Sequence, residues 1–195
     1  MKLKRDFYEQ PTPEAARRLL GKFLVRHHPD GTTVGRIVET EAYVGPQDKA
    51  SHASRGLTAR NAVMFGPAGY AYVYLVYGFH YCLNIVTEKR GYPAAVLIRA
   101  LEPMEGIEIM ERRRRTTDYR KLASGPGRLC QAFAIDLALN GIDLCGDVLY
   151  VEDSGERAWP VVAATRIGVD YAGAWRNKPF RFYIRGHACV SRARS

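Results

Sequence analysis

Short strand-like apolar runs dominate this chain, and helical periodicity is confined to a few short stretches. Strands are expected at residues 22–26, 33–43, 70–76, 81–87, 94–100, 148–151, 161–164 and 181–184. A helix is expected to open at Thr12, where Thr12-Pro13-Glu14 offers a cap, a proline for the first turn and an acid near the positive end of the dipole, and to stop at Gly21. Two more helices are expected at residues 104–113 and 126–135. Residues 45–69 are polar and rich in small side chains, a long irregular segment of the kind that usually carries function. Residues 114–123 read as a charged surface loop. No repeat, linker or low-complexity block divides the chain. The pattern therefore predicts one α+β domain over residues 1–195, a curved, mainly antiparallel β-sheet surrounded by short helices.

The strand at 70–76 is set apart by its rings. Tyr70, Tyr72 and Tyr74 recur at every second position, Tyr77-Gly78-Phe79 reads as a turn, and Tyr81 follows. This predicts a protruding β-hairpin that delivers aromatic side chains to its tip. By pattern alone, such a strand is either an aromatic-rich sheet core or a surface for stacking on bases.

Charge bears on that choice. The 29 Lys and Arg against 20 Asp and Glu leave a net charge of +9, which favours a polyanionic partner through counterion release. Hydrophobic residues make up 47% of the chain, enough for a sizeable core. Cys82, Cys130, Cys145 and Cys189 lie far apart, with no spacing for zinc, a redox pair or a disulfide framework. No glycine loop of Walker or Rossmann type occurs, and neither a metal nor a cofactor is expected. The N-terminal residues lack the apolar stretch of a signal peptide and no apolar run reaches membrane-spanning length. The expectation is a cytoplasmic protein with no membrane association.

Candidate chemistry gathers around RIVETEAY at residues 36–43. On a strand Glu39, Glu41 and Tyr43 share a face. Glutamate is a poor strand residue, so these two are solvated on an edge, ion-paired, or held for chemistry. Arg99 closes the apolar run 94–98, where a charge is expensive without a partner, and Glu41 or Glu39 is the natural one. Pairing with arginine would lower the carboxylate's pKa and keep it ionised, able to orient and deprotonate water. His52 stands in the irregular segment just beyond. The arginines at 112–115, Arg60 and the set Arg176, Lys178, Arg181 and Arg185 are candidates for phosphate contact or for solvated helix ends.

Several separated motifs together resemble the alkyladenine (3-methyladenine) DNA glycosylases, monofunctional base-excision repair enzymes. They are RIVETEAY at 36–43 with the segment to His52, YVYLVYG at 72–78, CLN at 82–84, LIRALEP at 97–103, SGP at 124–126 with LCQ at 129–131, and KPFRFY at 178–183. The motifs keep their order from about Leu3 to Ser191. The resemblance implies that Glu41 is the general base activating the attacking water, with Arg99 and the carbonyl of Ile167 helping to hold that water. It implies that Tyr43 and His52 sandwich the extruded base, that Tyr74 closes the pocket edge-on, and that the backbone at Ala50 and His52 reads the base edge. Asn84 would stand where a guanine amino group needs room, and Tyr77 would be the wedge that fills the gap left in the duplex. The implied activity is hydrolysis of the N-glycosidic bond of alkylated or deaminated purines in double-stranded DNA, without strand cleavage, by a monomer without cofactors. A non-catalytic basic module that stacks bases on its tyrosines is the rival reading, and Glu41 separates the two. Phe79, His80 and the charged segment 112–121 depart from the family's mammalian pattern.

Overall fold

The computed structural model of the chain describes residues 1–153, 155 and 159–191. Within these residues eight strands build one open sheet: β1 (Phe23–His28), β2 (Gly31–Tyr43), β3 (Ala71–Val76), β4 (His80–Thr87), β5 (Ala94–Glu105), β6 (Leu149–Glu152), β7 (Val161–Ala164) and β8 (Arg181–Ile184). Every pairing among them is antiparallel, in the order β3-β4-β5-β2-β1-β6, with β8 joining β2 and β7 joining β8. The longest strand, β2, lies near the centre. One of its edges pairs with β5, and the other pairs first with β1 and then, around Glu39, Thr40 and Glu41, with β8. Its second half is thus closed on both edges, which buries a stretch carrying two glutamates.

Among the described residues, four short α-helices accompany the sheet: α1 (Arg5–Tyr8), α2 (Thr12–Arg18), α3 (Ile107–Arg114) and α4 (Pro126–Ala132). Helix α2 packs against β2 and β5, and α4 against β4 and β5. The main core forms between them from Leu19, Ile37, Leu83, Ile85, Ile98, Leu101, Leu129 and Phe133, all fully buried. Each such side chain contributes about 1.5–3 kcal/mol through burial. Alternate residues of the same strands form a second, smaller cluster with Ala53 and Met64, in which Tyr72, Val86 and Ala95 are buried. This is the α+β architecture that the pattern predicts. Among the described residues no helix is long and apolar enough to cross a membrane.

Several boundaries differ from expectation, each for a local reason. Strand β5 continues past residue 100 to Glu105, because its second half pairs with residues 34–37 of β2. The helix expected at 104–113 therefore starts at Ile107, after Gly106. Gly106 has φ 71°, and a Cβ there would lie 2.3 Å from the Thr32 carbonyl oxygen, so the turn into α3 requires glycine. The helix expected at 126–135 ends at Ala132, and Ala134 is already left-handed at φ 48°. Thr12 does not cap α2. It is the first helical residue, and its hydroxyl meets Glu88 at 2.5 Å and Thr87 at 3.0 Å, tying α2 to the end of β4. Helix α1 and a kinked 3₁₀ segment, Asp170–Asn177, have no counterpart in the sequence pattern. The segment 45–69 is ordered by two 3₁₀ turns, His52–Arg55 and Ala62–Phe65, and by Asn61, which donates to the carbonyls of Gly56 (2.8 Å) and His52 (3.2 Å). In the expected surface loop at 114–123, Leu122 and Ala123 are buried.

The β3–β4 hairpin projects as expected. The Phe79 N–H donates to the Val76 carbonyl, and the two residues between have φ 53° (Tyr77) and 77° (Gly78), the paired positive angles of a type I′ turn. Tyr77 is 86% exposed and Phe79 is exposed beside it.

Candidate active site

Directly opposed residues in an antiparallel pair point to the same face. The register places Tyr72 opposite Asn84, Tyr74 opposite Cys82, Asn84 opposite Leu97, Leu97 opposite Glu41, and Ala95 opposite Tyr43. Tyr72, Tyr74, Asn84, Glu41 and Tyr43 therefore line one face across four strands. Arg99 falls on it too, two residues beyond Leu97 and beside a bulge in the β2–β5 pairing. Glu39 pairs with Ala100 and Thr40 with Ile98, so Arg99 is an extra residue without a ladder partner.

Arg99 sits between both glutamates. Its Nε is 3.1 Å from Glu39 and its Nη1 3.4 Å from Glu41, with both carboxylates fully buried. The solvated-edge reading of the glutamates is thereby excluded. Glu39 also accepts from Arg181 Nε at 2.7 Å and from the Ser191 N–H at 2.7 Å. Arg181 is consequently an internal ion-pair partner and not a free phosphate contact. Burial alone would lower the Arg99 pKa, but the charges of Glu41 and Glu39 outweigh it and hold it above the ordinary value.

Glu41 is satisfied on both oxygens. The Ile167 N–H donates to one at 2.8 Å and the Tyr43 hydroxyl to the other at 2.9 Å. At Ile167 it is thus the peptide N–H that faces the carboxylate. The Tyr43 phenol is pushed well above its ordinary pKa, first by burial and then by the Glu41 charge, so it remains a donor.

The rest of the site hangs on the segment after β2. Asp48 accepts the N–H groups of Val44 (3.2 Å) and Ala50 (3.0 Å) and is held by Arg166. The Ala50 carbonyl accepts a 3.3 Å bond from the exposed Tyr171. His52 Nδ1 lies 2.9 Å from the Tyr72 hydroxyl, and its ring meets Tyr74 nearly edge-on at 4.6 Å. Burial, then the charges of Arg60 and Arg55, push the His52 pKa down to about 4, so the imidazole is neutral at pH 7. Arg60 lies over the Tyr74 ring and donates to the Leu75 carbonyl. Asn84 is buried, its amide donating to the Tyr72 carbonyl at 3.1 Å. Tyr77 stands apart at the hairpin tip.

Glu41, Arg99, Tyr43 and Ile167 thus form one bonded cluster, His52 and Tyr74 meet ring to ring, and Ala50 joins Tyr43 through Asp48 and Arg166. Glu39, Asp48, Tyr72, Arg166, Arg181 and Ser191 also hold the site, and the sequence reading assigns none of them a firm role. Glu39, Tyr72 and Arg181 are signalled only as a charge or hydroxyl within a strand-like stretch, and Asp48, Arg166 and Ser191 carry no signal. Tyr72 is fully enclosed, so the tyrosine strand is not a row of equivalent stacking surfaces. In the arginine run, Arg113 pairs with Asp30 and donates to the Ala132 carbonyl, and Arg114 donates to the Leu122 carbonyl; Arg112 and Arg115 are exposed.

A buried carboxylate flanked by partly open rings can hold a flat ring and activate water next to it. The chain belongs to the methylpurine-DNA glycosylase (MPG) family, whose model matches residues 6–188. It is similar over nearly full length to proteins named "Putative 3-methyladenine DNA glycosylase". The one from Methanocella arvoryzae is 59% identical over 192 residues, covering 97% of this chain and 96% of the relative. That from an Anaeromyxobacter species is 52% identical over 194 residues (99% and 94%), and that from Alkaliphilus oremlandii 47% over 201 (98% and 100%).

Proposed function

We propose that the protein extrudes alkylated or deaminated purines, 3-methyladenine among them, from double-stranded DNA and hydrolyses the N-glycosidic bond, leaving an abasic site. The observation that carries this reading is the fully buried Glu41 carboxylate, held by Arg99, Tyr43 and the Ile167 N–H beside the rings of Tyr43, Tyr74 and His52. A base within the stack is out of reach of any active site, so extrusion precedes chemistry. Tyr43 and His52 then receive the base between them, Tyr74 closes the pocket edge-on, the backbone at Ala50 reads the base edge, and Asn84 limits room at the purine's amino position. Glu41 deprotonates the water that attacks the sugar carbon and stabilises the positive charge developing there. Arg99 keeps Glu41 in place, and Ile167 borders the water site. Tyr77 fills the gap in the duplex. Among the described residues, the groups bonded to Glu41 are guanidinium, phenol and peptide, with no lysine amine, which fits hydrolysis without a Schiff base or strand cleavage. The protein acts as a monomer on DNA.

The test is Glu41→Gln. This near-isosteric change should cut release of 3-methyladenine from methylated duplex by about 10²–10⁴-fold while lesion binding persists. Release at the wild-type rate would remove Glu41 as the general base.

A further inference from the structure

Beneath the ring that faces the base lies an ion pair for which the hydrolytic chemistry has no use. The Arg166 guanidinium is 4.8 Å from the centroid of Tyr43 and 5.5 Å from that of Phe180. Its two terminal nitrogens bind both oxygens of Asp48, at 2.6 and 2.9 Å, and one also donates to the Ala42 carbonyl at 2.9 Å. Neither side chain touches solvent. Burying two charges is less favourable than apolar packing of the same volume, so packing alone does not account for the pair.

We propose that the Asp48–Arg166 pair sets how strongly the pocket favours a positively charged base over a neutral one. The proposal rests on Tyr43 stacking the extruded base. An aromatic face attracts a cation through its negative quadrupole. One face of Tyr43 is already covered by Arg166, and a base on the other face would lie about 8 Å from that guanidinium, the observed 4.8 Å plus ordinary stacking contact. Across that distance, in a partly buried setting, two unit charges alter an equilibrium constant by about thirtyfold, and on the order of tenfold after screening. Arg166 alone would therefore disfavour bases made cationic by alkylation. The Asp48 carboxylate, bonded to the same guanidinium, cancels that repulsion. The pair holds the platform rigid through Ala42, Val44 and Ala50 while presenting no net charge to the base.

The experiment measures Kd for duplexes carrying 7-methylguanine, which is cationic in DNA, or hypoxanthine, which is neutral, in the Glu41→Gln background. Asp48→Asn leaves Arg166 uncompensated and should shift the preference toward hypoxanthine by about tenfold. Arg166→Gln leaves the carboxylate and should shift it toward 7-methylguanine, and the double variant should return it close to the parent. Loss of a purely structural support would weaken both lesions alike, so an unchanged ratio in the single variants overturns the proposal, as do shifts of the same sign in both. If Asp48→Asn does not fold, the Arg166→Gln ratio alone decides. Failure of the glycosylase reading shows separately, as no release of either base by the wild-type protein.

Discussion

His52 gives the site a pH dependence that one residue controls. Its pKa lies at about 4, below the ordinary 6.5, chiefly through burial and secondarily through Arg60 and Arg55. Between those two values the unfolded chain holds a proton that the folded chain does not. Stability is therefore full above pH 6.5 and falls as pH drops toward 4. The ring is only partly enclosed, so the loss is on the order of 2 kcal/mol. Urea midpoints of the wild type should fall more between pH 7 and pH 4.5 than those of His52→Gln. Parallel pH profiles would show that the imidazole is not the source. At this scale the sequence is informative where a charge interrupts an apolar run. Arg99 within β5 demands a carboxylate, and Glu39 and Glu41 are both supplied. It is silent on Asp48 and Arg166, which stand 118 residues apart in segments with no distinguishing pattern.

At the scale of elements, the tyrosine hairpin was readable because Tyr77-Gly78 between alternating strands specifies a tight turn. Its cost was not. Tyr77 holds φ 53°, a conformation that costs a side chain with a Cβ on the order of 1 kcal/mol, and glycine takes it freely. Tyr77→Gly should consequently leave the thermal midpoint unchanged or raise it slightly, yet weaken binding to lesion-containing duplex more than to single strands. Equal weakening on both substrates would argue against a wedge. The strand boundaries were less legible. The long β5 depends on pairing with β2, and the bulge beside Arg99 is a mismatch between two strands, a property that neither strand carries alone.

For the whole molecule, the fold class follows from the sequence because strand-like runs recur along the chain and helical runs are short. The assembly of the site does not. Glu39 is met by Arg99, Arg181 and the Ser191 N–H, which are 60, 142 and 152 residues away. Contacts of such separation carry large loop-closure entropies and form slowly. Hairpins such as β3–β4 and β1–β2 can form early, whereas a chain lacking β8 and residue 191 leaves a buried carboxylate short of its donors. In refolding from urea, far-UV dichroism should therefore recover before base release does, with activity returning only in the last native phase. Simultaneous recovery from the first phase would show that the site does not wait for its distant partners. The network at Glu39 thus acts as a completeness check on folding: a repair enzyme wired in this way has no working active site until nearly all of its chain is in place.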